Sequence, residues 1–153
     1  MSSQLDAVIL ALTVKWQALQ SSTLAGVNVV DGPQASMDPT QQWLVVGHTG
    51  GVPIEGEESA FGQQDLYTFA KGKSESINID CGIVCASGDP NIAPARQRCL
   101  AIMSVCEDSL RQDMTLGGIV MHAYIAQIMY VPTVTSTGAK VRVTFTVSYQ
   151  AQF

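Results

Sequence analysis

Two histidines and four cysteines, with one short acidic run, are the side chains here best suited to chemistry. His48 sits in Gly47-His48-Thr49-Gly50-Gly51, a glycine-rich stretch directly after an apolar segment. Such a loop could cradle phosphate with its backbone N–H groups. It lacks the lysine and hydroxyl pair of a nucleotide loop, and no helix clearly follows it. His122 has no acid or cysteine at local motif spacing and reads as a satisfied histidine inside a strand. Ala86-Ser87-Gly88 lacks the flanking glycines of a nucleophile elbow. Cys81 and Cys85 fall on one face of a strand, roughly 13 Å apart at strand rise. Cys99 and Cys106 fall on one helical stripe, about 10 Å apart. Neither pair can share a metal or close a local disulfide, so the expected role is that of small buried hydrophobes. A strand cysteine could meet a helix cysteine across the core, but nothing in the sequence requires it.

Glu55, Glu57 and Glu58 could hold calcium or magnesium, yet their spacing does not follow the ligand register of a calcium-binding helix-loop-helix. A solvated loop is the simpler reading. Repeated around a ring, the same loop would concentrate negative charge near one axis and keep passing DNA from sticking. Replacing the three glutamates with glutamine, with assembly and DNA passage unchanged, would remove that idea. No catalytic residue, cofactor site or metal site is expected.

The totals point the same way. At 153 residues the chain fits one domain spanning 1–153. Charged residues make up only 14% against 46% hydrophobic, which suits a folded protein that hides surface against partners. A net charge of −5 argues against general DNA binding. No apolar run has the length of a membrane span, and Met1 to Leu24 reads as an amphipathic helix rather than a secretory leader. A reducing cytoplasm, or a particle assembled there, is the expected location.

These residues need elements to hold them, and the clearest is Lys140 to Phe153. Val141, Val143, Phe145, Val147, Tyr149, Ala151 and Phe153 share one parity; Lys140, Arg142, Thr144, Thr146, Ser148, Gln150 and Gln152 share the other. That predicts a long strand with one buried and one wet face. Upstream, a helix is expected over about 3–20, with Ser3 and Asp6 as a weak capping box. Strands follow at Val27–Val30 and Gln42–Gly47, the second buried on both faces. A loop at about 48–62 should project from the sheet. Gln63–Ala70 and Glu75–Ala86 bracket Lys71-Gly72-Lys73 as a hairpin. Asp89 and Pro90 should open a second helix, and Leu116-Gly117-Gly118 should stop it. Ile119–Val131 is apolar on both parities and is therefore expected to lie centrally, antiparallel to the last strand. The predicted fold is α+β: two helices packed on one face of a mixed, mostly antiparallel sheet.

Several short stretches in this order resemble one family. They are Val30-Asp31-Gly32-Pro33, Val45-Val46-Gly47, Gly56-Glu57-Glu58-Ser59, Asp89 with Arg96, and Leu116-Gly117-Gly118-Ile119-Val120. Together they resemble tail terminator proteins of long-tailed bacteriophages, particularly those infecting actinobacteria. The resemblance implies a virion protein of the tail and neck region, assembled in the host cytoplasm. It implies a ring, usually hexameric, that caps the head-proximal end of the tail tube and stops its growth. Its partners would be the major tail tube protein and a head completion or stopper protein, with genomic DNA passing through unbound. The candidate contacts are Glu55, Glu57, Glu58, Ser59, Phe61, Thr133, Thr135 and Thr137. Another neck or tail completion component is the alternative. A small hydrolytic domain would need a polar constellation that the sequence does not assemble. A binding module would need a concave site on a sheet face that Thr144, Thr146, Ser148 and Gln150 make polar and flat.

Overall fold

The computed structural model describes residues 3–38, 40–51, 59–66, 72–135 and 138–152. The chain begins with α1 (Leu5–Gln17), drawn onto the core by Val8, Leu12 and Trp16, and tightens into a 3-10 turn over Ala18–Ser21. No capping box forms, because the Ser3 hydroxyl is engaged elsewhere. It donates to the buried carboxylate of Glu75 while its oxygen accepts from the N–H of Leu5. Gly26, with φ +79°, turns the chain into β1 (Val27–Asp31).

β1 pairs parallel with β2 (Gln42–Val46), and every other pairing is antiparallel. β3 (Ala60–Leu66) and β4 (Lys73–Ser87) form the expected hairpin. The sheet order is β1-β2-β4-β6-β5, with β3 on the free half of β4, where β5 is His122–Thr135 and β6 is Gly138–Gln152. Both helices cover one face, as an α+β two-layer fold requires. The β6 residues Val141, Val143, Phe145, Val147, Tyr149 and Ala151 are buried in that layer. Trp16 meets Phe145 edge-on at 6.1 Å and donates its indole N–H to Ser109 Oγ at 2.8 Å, tying α1 to the second helix.

That helix, α2 (Ala93–Gln112), starts four residues later than Asp89. Asp89 accepts from the N–H of Asn91 at 2.9 Å, and Asn91 from that of Ala93 at 3.2 Å. Two successive side-chain turns therefore precede the helix, and Pro94 rather than Pro90 occupies its first turn. The apolar stripe of Cys99, Ile102, Met103, Cys106 and Leu110 is buried as expected. The helix ends before the glycine pair, because the Asp113 carboxylate accepts from the N–H of Gly117 at 3.1 Å. Leu116, Gly117 and Gly118 then all adopt positive φ and reverse the chain.

Three further expectations need correcting. The penultimate strand is not central: β5 is the sheet edge and β6 lies between it and β4. The stretch 48–62 does not project as one loop. Ala60 to Gly62 belong to β3, His48 to Gly51 are packed down, and 52–58 lie outside the described residues. The outer parity of β6 is not uniformly wet either. Thr146 and Ser148 are buried, hydrogen-bonded across to Asp80 and Asn78 of β4.

Candidate interaction surface

The helix-free face is crossed by the strap Gly47–Gly51, and the glycines explain how it lies so close. A side chain at Gly82 of β4 would place its Cβ 2.0 Å from the Thr49 carbonyl oxygen, so only glycine fits beneath the strap. Gly50 has φ +79° and sits over Gly82 and Val84. His48 is buried, its Nδ1 accepting from the N–H of Gly50 at 3.1 Å. The Gly50 N–H, one of the backbone donors a phosphate cradle would need, is thus spent within the strap. The face is not flat. Beside the strap runs an open groove of about 480 Å³ lined by Met37, Trp43, Lys140 and Arg142. A second, of about 510 Å³, is lined by Asp80, Gln127, Met129 and Thr146.

The ionisable groups do not converge. Among the described residues no cluster of histidine, cysteine, aspartate or glutamate is placed to hold a metal. All four cysteines are buried and unbridged. Burial pushes the Cys81 thiol up to about 12 and raises Cys106 as well. Contact with the Cys85 thiol, then burial, raises Cys99, whose S–H approaches the carbonyls of Ile83 and Val141. Thiols held protonated in this way are poor nucleophiles. His122 stacks on Tyr124 on the open side of β5, with ring centroids 5.7 Å apart.

Among the described residues the one buried carboxylate is Glu75, 1% exposed. Burial pushes its pKa up, but hydrogen bonds from Ser3, Gln64, the N–H of Gln4 and Tyr149 outweigh that and hold it below the ordinary value. The last three measure 2.7, 3.0 and 3.0 Å. This site joins the start of α1 to β3, β4 and β6. It is structural cement with no opening to a substrate.

Exposed apolar surface is concentrated on β5. Tyr124, Ile128, Met129, Tyr130 and Val134 are between 41% and 62% exposed. Register explains why. Ile128 and Tyr130 lie opposite Phe145 and Val143, on the helix side, yet β5 overhangs the layer that α2 covers. Met129 lies opposite Thr144, on the helix-free side. Both parities are therefore open, and apolar residues grouped in this way mark an interaction site.

Glu55, Glu57, Glu58 and Thr137 lie outside the described residues. Ser59 precedes β3, its carbonyl accepting from the N–H of Asp80, and Phe61 on β3 is 52% exposed. Thr133 is exposed on β5, and Thr135 ends that strand opposite Gly138. The described candidates thus fall on opposite flanks of the sheet and do not meet within one copy. The apolar β5 residues were missed. Pro132, inside a run with no charged residue, was the available signal for an edge strand.

No protein-family model matches the sequence, and no curated protein does. The fold is similar to that of a chain in a solved structure of the virion of a native gene transfer agent particle. The TM-score is 0.50 at 11% identity, covering 94% of each chain. At that identity the likeness shows a shared fold.

Proposed function

We propose that the chain is a structural protein of a tailed-phage-like particle, and within it a ring-forming tail terminator. In this reading, copies cap the head-proximal end of the tail tube, stop its growth and offer a surface to the head completion protein. DNA passes through without specific contacts. The observation that carries the proposal is β5, a 14-residue edge strand with no charged residue and apolar side chains open on both faces. One bulge and Pro132 interrupt this edge, but no charge blunts it, and an edge left this apolar suits a subunit completed by its neighbours. Support comes also from the fold shared with a virion chain over nearly the full length, and from the family resemblance of the sequence.

The direct test adds purified protein to polymerising tube subunits. Shorter tubes bearing a density at one end are expected. Tubes of unchanged length with bare ends would defeat the terminator assignment. Binding to isolated head connectors but not to tubes would favour the alternative, another component of the neck.

A further inference from the structure

Three flanks of the sheet could receive another strand, and the chain treats them differently. The β1 flank is closed by its own side chains. Gln20 Nε2 donates to the Val27 carbonyl at 2.8 Å and Gln17 Nε2 to that of Val29 at 3.2 Å. An incoming strand would find those acceptors taken. The β3 flank is open: every residue from Phe61 to Asp65 is exposed. Among the described residues the β5 flank is closed only at its start, where the N–H of Ala123 donates to the Met114 carbonyl at 2.7 Å. Beyond the bulge between Ile125 and Gln127 and before Pro132 lies a regular run, residues 127–131. The β1–β2 pairing in this same sheet spans five residues, so a run of that length suffices for a ladder.

We propose that β5 of one copy adds antiparallel to β3 of a second copy, and that repeating this step builds the ring; the inference rests on the ring reading above. Strand direction favours it. β3 runs opposite to β4, and β5 runs with β4. Copies placed side by side with strand directions preserved therefore bring β5 against the next β3 in the antiparallel sense. Symmetry favours it too. Pairing of β5 with another β5 would close at two copies, whereas joining two different edges passes an open edge to a third copy and can close a ring. Phe61 and Met129 both lie on the helix-free side, so they would share one face of the joined sheet.

The test uses the full chain with one added surface cysteine per variant. Phe61→Cys, Gln63→Cys and Asp65→Cys on β3 sample successive registers on one face, and Met129→Cys reports β5. The native thiols are at most 1% exposed and should not react with a short bis-maleimide. Ring formation on tube ends is followed separately by electron microscopy. A cross-linked dimer only when a β3 variant is mixed with the β5 variant supports the proposal. A dimer from Met129→Cys alone overturns it in favour of a two-fold pair. Rings that persist with no cross-link in any mixture overturn the strand assignment and leave the ring reading standing. No ring or cap in any preparation defeats the ring reading first. Independently, Met129→Lys should keep the wild-type Tm and weaken self-association at least about tenfold, as charge on an edge strand does. Association unchanged by Met129→Lys would overturn the proposal.

Discussion

β5 and β6 are hydrogen-bonded neighbours of nearly equal length, 14 and 15 residues, yet their surroundings are opposite. β6 has a strand on each side and helices over one face. β5 has a strand on one side, and its far half extends past the helices. Both are rich in valine, tyrosine and other strand formers. What separates them is where the apolar parity goes. On β6 it is confined to one face, and polar residues on the other bond across to β4. On β5 apolar residues lie on both parities, and past the covered start at Ala123 and Ile125 both parities are open. A strand apolar on both sides can be the middle of a sheet or the seam of an assembly, and only its neighbours distinguish the two.

Substitutions should therefore divide between stability and assembly. Phe145→Ala removes a ring packed against Trp16 in the β6 core and should cost about 3–5 kcal/mol in denaturant unfolding. Gly82→Ala, opposite Thr144 of β6, drives a methyl into the Thr49 carbonyl and should cost about 3 kcal/mol, the upper range for overpacking. A loss under 1 kcal/mol would mean that the strap lifts freely. Glu75→Gln replaces one of four-fold-bonded carboxylate's acceptor oxygens with a donor and should cost about 2 kcal/mol at neutral pH.

The same substitution has a pH signature. The folded pKa of Glu75 lies below the ordinary 4.5, so the unfolded chain binds its proton first as pH falls. The stabilisation is complete above the ordinary value and is lost as pH drops through the depressed one. Urea midpoints of wild type and Glu75→Gln should converge at acid pH; a gap that stays constant would contradict the hydrogen-bonded carboxylate. The smallest effect belongs to β5. Ile128→Ser, at a site 55% exposed, should change stability by no more than about 0.5 kcal/mol while impairing assembly. A large stability loss there would mean that β5 is better covered than its exposure indicates.

Much of this was legible in the residues. The parity of Val141 to Ala151 located the core strand, and the α2 stripe from Cys99 to Leu110 located the helix face above it. What failed was non-local. Within Ile119–Val131 nothing distinguishes a central strand from an apolar edge, because exposure depends on how far α2 reaches; only Pro132, one residue on, points to an edge. Glycine at position 82 reads as ordinary until the strap is laid on it. Ser3 resembles a cap until Glu75, 72 residues away, takes its hydroxyl. Of the expected contacts, Phe61 and Thr133 lie on exposed edges, while the apolar residues from Tyr124 to Val131 belong to the stretch expected to be central.

The Glu75 cluster has one more consequence. Its four donors are all neutral, so the start of the amino-terminal helix is fastened by an anion and dipoles at contact distance, unlike its far end, where Lys15 pairs with Asp113. Mobile ions act weakly over so short a span. Brine strong enough to loosen surface salt bridges should leave the first turn of the chain anchored.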